Sequence, residues 1–171
     1  MGPPQAEAVL RRALAMGADE AVLLSDRAFA GADTWATALT LAAGIRRCGP
    51  FDVVFCGKQA IDGDTAQVGP GLAAHLDWSQ VTYASRIELE NSGENTLRVT
   101  RLLDHGHVEL TVAPPVVVTV LKECNEPRLP TLSNRLRSYR QPVETPTLDA
   151  LDLTAAEVGL DGSPTQVVSI A

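Results

Sequence analysis

Hydrophobic and polar positions change their spacing twice along this chain, and each change marks a different kind of structure. Near the start, Val9, Leu10, Ala13, Leu14 and Met16 recur at helical spacing, with Pro4 suited to a first turn and Gly17 suited to the stop. The apolar run Ala21-Val22-Leu23-Leu24 reads as a short buried strand that ends at Ser25-Asp26. Residues 33–48 predict a second helix with Leu39, Ala42, Ala43 and Ile45 on its apolar face, closed by Gly49-Pro50. Residues 51–56 predict a strand and residues 65–76 a helix. The order αβαβα is that of a parallel sheet covered by helices.

After Trp78 the period becomes two. Residues 80–90, 96–103 and 108–112 alternate apolar with polar, separated by Asn91-Ser92-Gly93 and Asp104-His105-Gly106, and so predict antiparallel strands with one wet face. Residues 116–121 are apolar almost throughout, which returns the chain to the buried sheet. Beyond Asn125, Pro127, Pro130, Pro142, Pro146 and Pro164 interrupt any pattern, leaving one helix over 132–140 and an extended tail with a helical turn around Ala155. The fold class is therefore α/β: an open parallel sheet with flanking helices and an antiparallel insertion near residues 80–112.

Composition narrows the function. A length of 171 residues suits one domain with a real core, and aromatic content of 4% means that Ala, Val and Leu must build it. A net charge of -7 argues against a nucleic-acid partner, which would call for a basic face. Cys48, Cys56 and Cys124 show no Cys-x-x-Cys spacing, and His75, His105 and His107 make no ligand cluster, so no metal site is expected. Neither a leader segment nor a long apolar span is visible, so membrane insertion is not expected and a cytoplasmic setting is. No Gly-x-Ser-x-Gly elbow or Cys/His pairing suggests a catalytic residue.

The most informative chemistry lies in residues 52–70. The apolar run Val53 to Cys56 ends at Gly57, a polar turn follows, and Asp62-Gly63-Asp64-Thr65 opens the next predicted helix. Strand, glycine-bearing turn and helix start bring backbone N–H groups and a positive helix end to one point, which favours an anion such as phosphate. The stretch matches neither a Walker loop nor the Gly-x-Gly-x-x-Gly fingerprint. On chemistry alone, a nucleotide site and an ordinary αβ turn with Asp64 as N-cap fit equally well.

Gly57-Lys58-Gln59-Ala60-Ile61-Asp62-Gly63-Asp64-Thr65-Ala66-Gln67-Val68-Gly69-Pro70 resembles the adenine-nucleotide loop of the β subunit of electron transfer flavoproteins. Four further stretches match in the same order: residues 13–19, residues 25–34, Asn125-Glu126-Pro127-Arg128, and Gly162-Ser163-Pro164-Thr165. The resemblance implies an adenine-nucleotide-hydrolase-like Rossmann variant, with residues 1–124 forming an incomplete nucleotide-binding α/β domain and residues 125–171 a partner-docking helix and extended tail. It implies that residues 57–68 bind the nucleotide, the amides of Asp64, Thr65 and Ala66 and the Thr65 hydroxyl meeting phosphate. Asp62 and Asp64 would cap the helix or bond ribose or backbone, because carboxylates repel phosphate. Arg27, Asp33, Thr34 and Thr37 complete the expected cofactor-binding set. They leave a strand end as the Gly57 loop does, and ligands of open parallel sheets sit outside such ends. The alternative for these residues is that Asp33 and Thr34 cap the helix and Arg27 is solvated.

The stretch Ser25-Asp26-Arg27-Ala28-Phe29-Ala30-Gly31-Ala32-Asp33-Thr34 resembles the version in nitrogen-fixation-associated and electron-bifurcating members. In those members the β nucleotide is FAD, where the mitochondrial type holds AMP, so FAD is favoured with AMP as the alternative. The implied function is to pass electrons between dehydrogenases and an acceptor, beside a flavin-bearing α subunit, with NADH-linked bifurcation open to the FAD version. Asn125, Glu126, Arg128, Leu132 and Arg137 are the implied docking residues for an acyl-CoA or other flavin dehydrogenase, with Leu132 as anchor. Family members carry further segments before the equivalent of Met1 and after that of Ala171, so the chain is expected to be shortened at both ends and marginally stable or aggregation-prone alone. A rival reading is a stand-alone adenine-nucleotide module of the universal-stress type, without redox work.

Overall fold

The computed structural model describes residues 1–61, 63–90 and 95–166. They divide into two compact units, Ile45–Glu126 and Met1–Gly44 with the tail from Pro127.

The Ile45–Glu126 unit is built on a five-stranded sheet of β1 (Val53–Gly57), β2 (Ser79–Leu89), β3 (Leu97–Leu103), β4 (Gly106–Val112) and β5 (Val116–Val120), in the order β1-β5-β2-β3-β4. β5 runs parallel to both β1 and β2, while β2–β3 and β3–β4 are antiparallel. The α/β class holds, and the open sheet is mixed. Period-two alternation locates the antiparallel ribbon. The unbroken run Val116-Val117-Val118 fits a central strand with parallel neighbours on both sides, and all three valines are fully buried. Burying each contributes about 1.5 to 3 kcal/mol. Val81, Ala84, Leu97 and Val99 complete this core with Val116 and Val118. At the sheet margin, β1 pairs with β5 alone among the described residues, and Phe55 is 58% exposed.

A bulge interrupts β2. Its register with β5 shifts between Val81 and Ala84, and its register with β3 shifts between Ala84 and Arg86. Between them Tyr83 adopts φ +60°, and its N–H donates to the Thr119 hydroxyl at 3.1 Å. Bulges re-aim side chains, and this one places the Tyr83 ring 5.5 Å from Nζ of Lys58. The helix α3 (Val68–Leu76) packs on β5 and β2. Close approach requires Gly69, because a Cβ there would lie 2.4 Å from the Thr119 methyl.

In the other unit, α1 (Glu7–Met16) ends where Gly17 turns left-handed at φ +114°, as its sequence predicts. The helix α2 (Thr34–Cys48), of which this unit holds the part up to Gly44, begins with Asp33 accepting from the Ala36 N–H at 3.0 Å. Its fully buried positions are the small ones, Ala36, Ala38, Thr40 and Ala42, whereas Leu39 and Ile45 are half-buried. The helix α4 (Leu132–Arg140) has the bounds expected, with the Thr131 hydroxyl accepting from the Asn134 N–H at 3.2 Å. α1 and α4 pack together, and Arg11 joins them: its guanidinium pairs with Glu7 at 2.6 Å and donates to the carbonyls of Ser138 at 2.5 Å and Gln141 at 3.0 Å.

Residues 21–24 depart from expectation. They form no strand of the five-stranded sheet and instead run beside the tail: Leu23 N–H donates to Glu144 O at 2.8 Å, Glu144 N–H to Ala21 O at 3.2 Å, and Ser25 N–H to Pro146 O at 3.3 Å. Apolar content reported burial correctly, since Leu23 and Leu24 are buried, but an apolar run does not name its backbone partner. Leu24, Phe29, Ala43, Leu151 and Val158 form this unit's core.

Candidate functional site

The loop from Gly57 to Gln67 leaves the carboxyl end of β1 and leads into α3. Lys58 is anchored at its base, its N–H donating to Val120 O at 3.1 Å while its ammonium lies over the Tyr83 ring. A cation 5.5 Å from a ring centroid is held electrostatically, so the charge is kept at the loop base while the side chain remains exposed. Beyond it, Gln59 Nε2 donates to Asp64 Oδ1 and Asp64 N–H donates to Ala60 O at 3.2 Å, closing a small ring of loop contacts. Gly57 and Gly63 face open space, with no atom within 4 Å of where a Cβ would be. Ala60, Ile61 and Thr65 are exposed. Asp62 lies outside the described residues.

One expectation is corrected here. The helix does not open at Asp64-Thr65 but at Val68, with Gln67 in the cap position. Asp64 (φ +48°) and Ala66 (φ +54°) adopt left-handed backbone, so a right-handed helical path cannot begin until both have passed. The amides of Asp64, Thr65 and Ala66 therefore belong to an irregular loop and are not first-turn helix donors, and Asp64 is not an N-cap. The first turn of α3 holds no acidic residue, and the Gln67 side chain does not cap it. The amides of Val68 and Gly69 stand at its positive end, where the helix dipole favours an anion. Two non-glycine residues in left-handed conformation within three positions also represent stored strain, which concentrates at ligand-binding segments.

In the other unit, Ser25 to Asp33 is held by the tail. Asp26 Oδ1 accepts from the Ala28 N–H and Oδ2 from the Leu148 N–H, both at 3.0 Å. Those two amides hold the Asp26 carboxyl below the ordinary aspartate range. For Asp33, partial burial pushes the carboxyl up, but hydrogen bonds from the Thr165 hydroxyl and the Ala36 amide outweigh it and leave the group lowered. Thr165 donates to Asp33 through both its N–H and its hydroxyl, and Ser163 Oγ accepts the Asp33 N–H at 2.8 Å. Both carboxylate oxygens of Asp33 are thus committed to holding the helix start and tail. Thr34 and Thr37 stand in the first turn of α2, and exposed Arg27 lines an open cavity of about 610 Å³ with Pro3, Pro4 and Phe29. Residue-by-residue reasoning did not single out Ser163 and Thr165. The signal available was their place in the matching Gly162-Ser163-Pro164-Thr165 stretch.

Among the expected docking residues, Asn125, Glu126, Arg128 and Arg137 are exposed, and Leu132 is 75% exposed. Leu136, one turn further along α4, is 54% exposed. Among the described residues, no three His, Cys, Asp or Glu side chains gather as metal ligands, and no helix is long and apolar enough to cross a membrane.

The electron transfer flavoprotein domain matches residues 1–151. This chain belongs to the electron transfer flavoprotein family. Its relatives include the electron transfer flavoprotein subunit beta of Thermoanaerobacterium thermosaccharolyticum, 52% identical over 99% of this chain and 64% of the relative. The caffeyl-CoA reductase-Etf complex subunit CarD of Acetobacterium woodii is 47% identical over 98% of this chain and 63% of its own length. Protein FixA of Azotobacter vinelandii is 44% identical over 99% of this chain and 62% of its own length. The chain thus spans somewhat less than two-thirds of these curated relatives. Membership in a flavoprotein family makes the start of α3 and the Lys58 cation the features to test against a nucleotide, and their chemistry fits one. Amide donors and a positive charge meet phosphate, and Gly57 and Gly63 leave room beside the loop.

Proposed function

We propose that this chain is the β subunit of a heterodimeric electron transfer flavoprotein and that residues 57–69 hold the phosphates of an adenine nucleotide, FAD in preference to AMP. The observation that carries the reading is the N-terminus of α3, with no acidic residue in its first turn, at the end of a loop that leaves the carboxyl end of β1 and carries Lys58. In this reading Val68 and Gly69 N–H donate to phosphate, Lys58 supplies the neutralising charge, and Thr65 adds a hydroxyl. Gln59, Ala60, Ile61, Gly63, Asp64, Ala66 and Gln67 shape the loop around the nucleotide, through backbone more than through side chains. Arg27, Thr34 and Thr37 are read as nucleotide-binding residues through the resemblance of residues 25–34, and Asp33 acts by holding the start of α2.

When bound, a flavin supplies the electron-transfer chemistry, and the protein supplies placement and electrostatics. The α subunit, an acyl-CoA or other flavin dehydrogenase, and NADH in the bifurcating version are the proposed partners. Leu132 is the apolar anchor of docking, flanked by Asn125, Glu126, Arg128 and Arg137. The proposed setting is the cytoplasm. FAD is preferred because residues 25–34 resemble the bifurcating version.

The test is a cofactor count on the protein purified with its α companion. Two flavins per heterodimer support the reading, one flavin with one AMP replaces FAD by AMP, and no nucleotide in the β subunit overturns it.

A further inference from the structure

The stretch 127–142 concentrates positive charge. Arg128, Arg135, Arg137 and Arg140 lie within it and no acidic residue does, although the chain as a whole has a net charge of -7. Such a local reversal of sign draws in a partner of opposite charge while the rest of the surface repels it. Beside this stretch, α1 and α4 enclose an open cleft of about 480 Å³, floored by Ala8 and Ala15 and lined by Arg11, Arg12, Arg135 and Tyr139.

The three arginines of the cleft differ in what they have left to give. Arg11 is committed: it pairs with Glu7 and donates to the last carbonyls of α4, so it fixes the two helices against each other. The guanidinium groups of Arg12 and Arg135 make no hydrogen bond or ion pair with another described residue, and both side chains are exposed. Two uncommitted guanidinium groups opening on one cleft favour a carboxylate, which each can grip through paired N–H donors.

The pitch of α4 joins this cleft to the apolar surface. Leu132 and Leu136 form one stripe at i, i+4, and Arg135 and Tyr139 form another, offset by about 60° at 100° per residue. A molecule seated on the leucines therefore reaches the cleft without leaving the helix. Exposed leucines between arginines suit a protein surface better than a nucleic acid, which would ask for a broad basic field with stacking aromatics.

We infer that the α1–α4 cleft is the ionic half of a docking surface, in which Arg12 and Arg135 receive acidic side chains of a partner protein whose apolar residues cover Leu132 and Leu136. The inference rests on the proposed docking role of Leu132 and adds a second, separable site to it.

The probe is a fluorescein-labelled twelve-residue peptide that alternates Glu with Leu, read by anisotropy against the full chain at low and at physiological salt. The acidic peptide binds, and binding weakens with salt. Arg12→Gln with Arg135→Gln weakens it at least fivefold, and Leu132→Ala weakens it without altering the salt slope. A peptide with Lys in place of Glu does not bind until Arg12→Glu and Arg135→Glu are introduced. If Leu132→Ala weakens binding and the arginine pair changes it less than twofold, the cleft inference is overturned and the docking reading stands. If neither change matters, or a labelled oligothymidylate binds as tightly, both fall. Unchanged circular dichroism of each variant shows that the fold is intact.

Discussion

Thr165 donates twice to Asp33, through its backbone N–H at 3.0 Å and its hydroxyl at 2.7 Å. The same carboxylate caps α2 through Ala36, so one side chain holds a helix start and a tail more than a hundred residues away. Thr165→Val removes the hydroxyl bond while keeping the shape, and costs about 1 kcal/mol of stability. Asp33→Ala costs more, because the cap is lost as well, at about 1 kcal/mol in its own right. Urea titration of each variant checks the order.

Acid unfolding follows from the lowered carboxyls of Asp26 and Asp33. A group whose folded pKa lies below its unfolded value of about 3.9 stabilises the fold fully above that value. The contribution is lost as pH falls from there through the folded pKa. Between pH 5 and 7 these two aspartates therefore leave stability flat, and below about pH 4 they make it fall. Asp26→Asn with Asp33→Asn flattens that acid limb. Urea midpoints at pH 3 and pH 5.5, for wild type and variant, read the difference, and an unchanged slope would count against the assignment.

Ala66 carries a left-handed φ of +54° in the candidate loop. Relief of that conformation by Ala66→Gly is worth about 1 to 2 kcal/mol, partly offset by the greater freedom of glycine in the unfolded chain. A net gain of about 0.5 kcal/mol in urea melts is expected. If the strain serves nucleotide binding, the same variant retains less nucleotide through gel filtration, despite its greater stability.

Gly69 and Thr119 test the contact of α3 with the sheet. A methyl at position 69 would meet the Thr119 methyl at 2.4 Å, so Gly69→Ala costs about 1 to 3 kcal/mol through overpacking. Thr119→Ser removes that methyl and keeps the hydroxyl that accepts the Tyr83 N–H. The double variant therefore recovers most of the loss, and a double-mutant cycle measures the coupling directly. Additive losses would place the clash elsewhere.

β1 presents Phe55 beside an edge that, among the described residues, is paired on one side only. Exposed apolar edges template association. Phe55→Lys is expected to lower light scattering of the isolated chain at high concentration with little change in its urea midpoint. Cooperative thermal unfolding of the unaltered monomer would show that the chain needs no companion to fold.

What the sequence disclosed depended on whether the determining interactions were local. The bounds of α4 were legible because Thr131 supplies a cap beside it and Pro142 ends the pattern, and the antiparallel ribbon was legible because its alternation is intrinsic to each strand. The start of α3 was misplaced because Asp64-Thr65 has the composition of an N-cap. Composition does not report the left-handed turns at Asp64 and Ala66. Residues 21–24 were read as a sheet strand because their partner, near Glu144, lies too far along the chain for any pattern to name. Within the candidate site the glycines and Lys58 could be picked out by type. The Tyr83 ring under Lys58 could not, since it arrives through a bulge on another strand.

The clasp on residues 21–33 also sets an order of events during synthesis. Every strand of the sheet has left the ribosome once Val120 emerges, whereas Leu23, Ser25, Asp26 and Asp33 wait for backbone and hydroxyl groups at positions 144–165. This segment is therefore secured only after the sheet has been made, and until positions 144–165 emerge Leu23, Leu24 and Phe29 lack that cover, a natural point of engagement for chaperones.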